Sequence, residues 1–75
     1  MVVYASEGII TVEMSNIYEE ATDVYVYNIA GQAVASYSID AGASYAQFNA
    51  ANIGNGIFVV KVANNNAEKT SKVSL

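Results

Sequence analysis

The sequence predicts an all-β domain in which two antiparallel sheets, with about seven strands in total, pack face to face as a β-sandwich. Three observations support this fold class. Apolar and polar residues alternate in short runs, as they do in strands with one buried face. Residues that favour turns separate these runs at intervals of about 8–12 residues. No segment shows the apolar periodicity of a helix of ordinary length.

The alternating runs predict seven strands within a single domain over residues 1–75, which we expect to derive from a longer secreted protein. Residues 15–22 are mostly polar and acidic and are expected to form a loop between two strands. A second loop over residues 50–56 is expected to place Ile53 in the core and to contain at most one helical turn. The predicted strands cover residues 2–5, 9–14, 23–28, 32–39, 44–49, 57–63 and 68–75.

The alternation also gives each strand a buried side. In the clearest strand, Val24 and Val26 point one way while Tyr25 and Tyr27 point the other way. The strand at residues 57–63 is strongly apolar and carries one outward lysine, Lys61. The predicted core consists of Val24, Val26, Val34, Phe48, Ile53, Phe58, Val60 and Val62.

Two glycines are predicted to occupy tight turns. Gly31 follows the clearest strand, and Gly56 precedes the most apolar one. Glycine adopts positive φ angles without a steric penalty, and tight turns between strands often require such angles. We therefore expect positive or otherwise glycine-favoured φ angles at both positions.

The composition argues against several classes of function. The chain has three Lys against seven Asp and Glu, a net charge of −4, and no His, Cys, Trp, Arg or Pro. Histidine and cysteine supply the usual general base, nucleophile and zinc ligands, so we expect no enzyme activity and no cofactor. Three lysines do not make the basic surface that nucleic acids or anionic membranes require. No apolar run reaches the roughly 20 residues of a membrane span, so membrane insertion is not expected either.

Four acidic residues between positions 19 and 40 are candidate ligands for a calcium ion. Glu19, Glu20 and Asp23 lie close together in the sequence, and Asp40 is a further candidate ligand. Calcium requires six to eight oxygen ligands, and the chain lacks the regular acidic spacing of a calcium-binding loop. The sequence therefore favours a solvated acidic loop.

The tyrosines are the best candidates for a partner-binding surface, formed by Tyr25, Tyr27, Tyr37 and Tyr45. Exposed aromatic residues on a sheet stack on sugars or anchor protein partners. Tyrosine also favours strands for packing reasons alone, and this second interpretation is preferred on sequence grounds. Two lysines in the last strand, Lys69 and Lys72, are either read by a partner or protect an edge strand from aggregation.

Four segments, in order from residue 23 onward, carry a family resemblance. Residues 24–34 read VYVYNIAGQAV, residues 48–56 read FNAANIGNG, residues 57–62 read IFVVKV and residues 69–75 read KTSKVSL. Their order and spacing resemble the hairpin, the small-residue loop and the two final strands of the C-terminal sorting domain of type IX (Por) secretion substrates. The Pro-Asn-Pro opening of that family is absent, and residues 4–9 stand in its place.

The resemblance implies an immunoglobulin-like β-sandwich that serves as a non-catalytic sorting and surface-anchoring module of an exported Bacteroidetes protein. It implies two partners, the cargo domain N-terminal to the module and the outer-membrane secretion machinery. It also implies a secreted or cell-surface location, reached through the periplasm. The alternative is an accessory β-sandwich that binds carbohydrate or protein in a secreted enzyme or adhesin. Weak self-association through edge strands stays open. The candidate sorting-signal residues are Lys69, Lys72, Val73 and Leu75.

Overall fold

The computed structural model describes residues 1–75 and contains seven strands and one short 3-10 helix. Each predicted strand agrees with an observed one to within one residue at either end, so the predicted all-β fold is confirmed. The elements are β1 (Val2–Ser6), β2 (Ile9–Glu13), β3 (Thr22–Tyr27), β4 (Ala33–Ile39), β5 (Tyr45–Asn49), the helix η1 (Ala51–Ile53), β6 (Ile57–Ala63) and β7 (Glu68–Ser74).

The strands form two antiparallel sheets that pack as a β-sandwich. The first sheet has three strands in the order β1-β2-β5, and the second has four in the order β4-β3-β6-β7. The sheets approach each other at both sides of the sandwich, where β1 lies against β7 and β4 lies near β5. One side of the domain is therefore closed by the first and last strands, and the other by two strands that are consecutive in the sequence.

The core is a single apolar layer between the two sheets. Strands β3 and β6 are direct neighbours and pair their inward valines, Val24 with Val62 and Val26 with Val60. All four valines are fully buried, and Phe58 is nearly so, as predicted from the alternation. Phe48 and Ile53 are only half-buried but pack against this layer. The buried apolar residues are Ile10, Val12, Val24, Val26, Ile39, Ala50, Phe58, Val60, Val62 and Val73.

Strand β4 presents the opposite side to the core from the one predicted. Val34, expected in the core, is 42% exposed. Ile39 is buried instead, and Ala35 and Tyr37 share its side of the strand because successive residues alternate. A β-bulge in the β3–β4 ladder leaves Val34 without a paired residue. The ring of Tyr37 consequently lies between the sheets, stacked on Phe48 at a centroid distance of 4.5 Å.

Two asparagines organise the hairpins of the four-stranded sheet. Asn28 closes the β3–β4 hairpin, where its Oδ1 accepts hydrogen bonds from the backbone N–H groups of Ala30 and Gln32. Asn64 closes the β6–β7 hairpin in a similar way, and its Nδ2 also donates to Oγ1 of Thr22 at 2.9 Å. Thr22 was expected in a loop but is the buried first residue of β3, and this hydrogen bond satisfies its hydroxyl.

Gly31 lies in the β3–β4 hairpin with a φ of 85°. A Cβ built at this position would meet no heavy atom within 4 Å. The glycine is therefore required by the backbone conformation alone, because the surroundings would leave space for a side chain.

The core makes a prediction about stability. Replacing Val60 by Ala should lower the free energy of unfolding by about 2–3 kcal/mol, because two buried methyl groups are lost and a cavity remains. Val34→Ala is the matched control, with an expected loss below about 0.5 kcal/mol. Urea denaturation of the two variants measures both values. Equal losses would contradict the orientation of β4 described above.

The hairpin makes a second prediction. Gly31→Val should lower the free energy of unfolding by about 1–3 kcal/mol, because a β-branched residue is strained at positive φ. Gly31→Asn should cost clearly less, because asparagine tolerates the left-handed region. Thermal or urea unfolding distinguishes the two variants. If Gly31→Val were as stable as Gly31→Asn, backbone strain would not be the reason for the glycine.

Candidate functional site

The four candidate sorting residues at the end of the chain occupy three different environments. Lys72 is exposed on the outward side of β7, whereas Lys69 is paired with Val62 and so emerges on the inward side, at the margin of the sandwich. Val73 is 6% exposed and belongs to the core. Leu75 is half-buried and packs against that core. The structure thus separates the two lysines, although they are only three residues apart.

The backbone at Leu75 is held in place by the β5–β6 loop. Leu75 and Gly56 exchange two backbone hydrogen bonds, of 2.8 and 3.0 Å. Gly56 makes them with a φ of 121°, in the region that favours glycine. Residues 68–75 therefore form an ordered edge of the sheet and not a free tail.

The four candidate tyrosines do not form one surface. Tyr25 and Tyr27 lie on the outward side of the four-stranded sheet, with ring centroids 6.4 Å apart. Tyr45 lies on the outward side of the other sheet and is 55% exposed. Tyr37 points into the sandwich, as described above, because of the orientation of β4. Only Tyr25 and Tyr27 therefore remain as a pair.

Strand pairing brings this pair of tyrosines together with two lysines. Tyr27 is paired with Val59, which is paired in turn with Lys72, and Tyr25 is paired with Lys61 in the neighbouring row. Because adjacent strands lie about 4.8 Å apart, the backbones of Tyr27 and Lys72 are separated by about 10 Å. We call these five residues the tyrosine–lysine face.

The lysines of this face differ in their electrostatic surroundings. Lys61 is 3.9 Å from a carboxylate oxygen of Glu68 and forms the single salt bridge of the domain, at the surface. Lys72 has no acidic partner at ion-pair distance, so its charge is directed to solvent. The face therefore combines two aromatic rings, one valine and one lysine without an ion-pair partner. Tyrosines are enriched among the anchor residues of protein interfaces, whereas lysine is depleted at interface centres and suits the polar rim.

The acidic loop does not form a metal-binding arrangement. No group of three or more acidic, His or Cys residues converges anywhere in the domain. Glu20 instead accepts a hydrogen bond of 2.6 Å from Nδ2 of Asn66. This contact ties the loop before β3 to the β6–β7 hairpin.

The outward side of the three-stranded sheet carries a second feature, which the sequence analysis did not identify. A shallow depression of about 450 Å³ lies there, lined by Tyr4, Ser6, Ile9, Thr11, Gln47, Phe48 and Asn49. Of these, Phe48 belongs to the inward side of β5, and its ring is stacked on Tyr37. Nε2 of Gln47 donates to Oγ1 of Thr11 at 3.3 Å, across the β2–β5 pair. The position of Tyr4 between Val3 and Ala5 in a short alternating strand was the sequence signal for an outward ring.

Tyr4, one of the residues that line this depression, is hydrogen-bonded to Glu13. Its hydroxyl donates a hydrogen bond of 2.9 Å to Oε2 of Glu13. This hydrogen bond raises the pKa of Tyr4 above its ordinary value of 10.0, and desolvation and the charge of Glu13 act in the same direction. The ring therefore has a defined orientation, although it is exposed.

The Tyr4 contact makes a testable prediction about titration. Glu13→Gln should lower the pKa of Tyr4 towards its ordinary value, as measured by NMR of the tyrosine ring carbons over pH. Because the pKa is higher in the folded chain, the associated stabilisation is complete below about pH 10 and is lost as the pH rises through the folded-state pKa. Glu7→Gln, in the β1–β2 turn, is the control and should leave that pKa unchanged. A Tyr4 pKa that does not respond to Glu13→Gln would contradict this contact.

The structure contains no helix with the length and apolar character needed to cross a membrane.

Comparison with known proteins identifies the family of the domain. A search of curated proteins finds no match. A family model described as "Secretion system C-terminal sorting domain" matches residues 6–75, nearly the whole chain. Domains of this family mark proteins that type IX secretion exports to the cell surface or the exterior. The chain therefore belongs to the family of secretion-system C-terminal sorting domains.

Proposed function

We propose that the domain is a non-catalytic sorting and surface-anchoring module, and that the outer-membrane secretion machinery recognises it through the tyrosine–lysine face. A sorting role implies a cargo and a machinery that reads the signal. The observation that carries the proposal is the row formed by Tyr27, Val59 and Lys72 on three adjacent strands. This row places residues of three of the four resemblance segments on one outward surface.

The order at the end of the chain supports a folded signal. Val73 is buried and the backbone of Leu75 is bonded to Gly56, so these two residues hold β7 against β6. Their contribution to sorting is therefore to position the strand. Lys72 is the member of the candidate group that a partner can contact on the same surface as the tyrosines.

The charge distribution supports the same surface. The whole chain carries a net charge of −4, yet all three lysines lie on β6 and β7. Two of them, Lys61 and Lys72, belong to the tyrosine–lysine face. A partner with an acidic rim around an aromatic-binding centre would complement this face, because charge complementarity selects the partner while buried aromatic rings supply affinity.

The composition supports a role without catalysis. The chain has neither His nor Cys, and its acidic residues do not converge. Binding and transport of the attached cargo require neither a nucleophile nor a general base. In this proposal the cargo remains bound to the cell surface after export.

The proposal predicts different results for two neighbouring lysines. In a host with a functional type IX system, a reporter preceded by a signal peptide and followed by residues 1–75 should reach the cell surface. Lys72→Glu should leave the reporter in the periplasm, because it reverses the charge on the tyrosine–lysine face. Lys69→Glu makes the same chemical change on the other side of β7 and should preserve export. Both residues are exposed, and we expect stability changes below about 0.5 kcal/mol.

The measurement is the distribution of the reporter among periplasm, cell surface and medium, with folding of both variants checked by circular dichroism. Export of folded Lys72→Glu at the unmodified level would count against recognition of this face. Loss of export in both variants would show that the strand is read as a linear lysine motif. Release of the reporter into the medium would refute the anchoring part of the proposal. Deletion of residues 69–75 is less informative, because it also removes buried Val73.

A further inference from the structure

The outward side of the three-stranded sheet has the chemistry of a ligand site that is distinct from the tyrosine–lysine face. Tyr4 and Tyr45 are 44% and 55% exposed and lie on β1 and β5, the two outer strands of this sheet. Tyr4 is in the row of Thr11 and Gln47, whereas Tyr45 is in the next row, opposite Glu13. The two rings therefore stand diagonally across the sheet, and Tyr4 also lines the depression of about 450 Å³.

Several polar groups at the depression have unused hydrogen-bonding capacity. Asn49 uses its Oδ1 to accept the backbone N–H of Ala51, which leaves its Nδ2 free to donate. Gln47 donates to Thr11 and keeps its Oε1 free to accept. The hydroxyl of Ser6, on β1, makes no hydrogen bond within the chain and is exposed. These donors and acceptors surround a surface with an exposed aromatic ring at one side.

The charges around the depression favour a neutral ligand. Strands β1, β2 and β5 contain one charged residue, Glu13, and its Oε2 accepts the Tyr4 hydroxyl. All three lysines lie on the opposite sheet. The depression therefore has no cation to hold a phosphate or carboxylate, and its lining of hydroxyl, carboxamide and aromatic groups carries no charge.

We infer that this depression binds a neutral oligosaccharide. Pyranose rings have an apolar face that stacks on tyrosine, and their hydroxyls both donate and accept hydrogen bonds. Tyr4 supplies the stacking surface, and Asn49, Gln47 and Ser6 supply hydrogen-bond partners of both kinds. The hydrogen bond to Glu13 fixes the orientation of the Tyr4 ring and so reduces the entropy lost on binding. The volume lies within the range of small-molecule sites.

A proline-rich peptide is an alternative occupant of the depression, because such peptides also pack on exposed tyrosines. Recognition of such peptides relies on grooves lined by aromatic residues. Here a single tyrosine lines the depression, and amide and hydroxyl groups form much of the remaining wall. The balance of polar and aromatic groups thus favours the sugar.

The test is an NMR titration of the ¹⁵N-labelled chain with three neutral trisaccharides, cellotriose, mannotriose and galactotriose. Trigalacturonic acid is the anionic counterpart of galactotriose and should bind more weakly, because the depression has no cation to hold its carboxylates. At least one neutral trisaccharide should cause saturable shifts of the backbone amides of Tyr4, Thr11, Gln47 and Asn49. Tyr4→Ala should raise its Kd by about tenfold, whereas Tyr4→Phe should change it by less than about threefold, because the ring is kept. Ile29→Ala removes an 85% exposed apolar side chain in the β3–β4 hairpin and should not change the Kd.

Gln47→Ala provides a second variant in case Tyr4→Ala does not fold. Gln47 is exposed, and its loss should also weaken binding without unfolding the domain. The inference is overturned if no neutral trisaccharide shifts these amides at millimolar concentration. It is also overturned if neither Tyr4→Ala nor Gln47→Ala weakens binding, or if a polyproline peptide shifts these amides and the sugars do not. The reporter assay for Lys72 is independent of each of these outcomes.

Discussion

The packing of one layer of β-branched side chains between two sheets is the interaction on which the rest of the domain depends. Ile10 and Val12 on one sheet and the paired valines of β3 and β6 on the other have no exposed surface. A chain of 75 residues without cysteine has no disulfide to compensate for a small core. Because strand residues alternate, this buried layer also determines which side chains face outward. The candidate binding surfaces are thus a direct consequence of the core.

The two outward faces differ in chemistry because the chain distributes its charges unevenly among the strands. The four-stranded sheet contains every lysine together with Asp23 and Glu68, and it places Lys72 in the same row as Tyr27. The three-stranded sheet contains one carboxylate, which is engaged by Tyr4. A single small core therefore supports one face suited to a charged protein partner and another suited to a neutral ligand. The side chains proposed to contact the protein partner or the sugar lie outside the core.

The strands, the turns and the central core could be predicted from local sequence, whereas the surfaces could not. The alternation in β3 and β6 is unambiguous, because bulky apolar residues recur at every second position. In β4, Val34 and Ile39 have opposite parity, so only one of them can face the core. Which of the two residues is buried depends on packing against the other sheet and on the bulge near Val26. Alternation gave the wrong orientation there, and with it the wrong position for Tyr37.

The binding surfaces require knowledge of which strands are neighbours. The row of Tyr27, Val59 and Lys72 exists because β3 pairs with β6 and not only with β4. The depression beside Tyr4 exists because β2 pairs with β5, across the intervening β3 and β4. Local alternation identifies strands, but their order in a sheet depends on long-range packing. The resemblance segments indicated the sorting role but not which of their residues share a surface.

The contact between β1 and β7 has a consequence for the stage of folding at which the tyrosine–lysine face forms. β7 is the last strand in chain order and lies against the first, so the sandwich is complete only after all seven strands are available. Closure of such distant contacts is slow compared with local hairpin formation. Lys72 joins the tyrosines only when β7 adds to β6. A chain that lacks β7 would therefore never display the complete face, whatever the state of the other six strands.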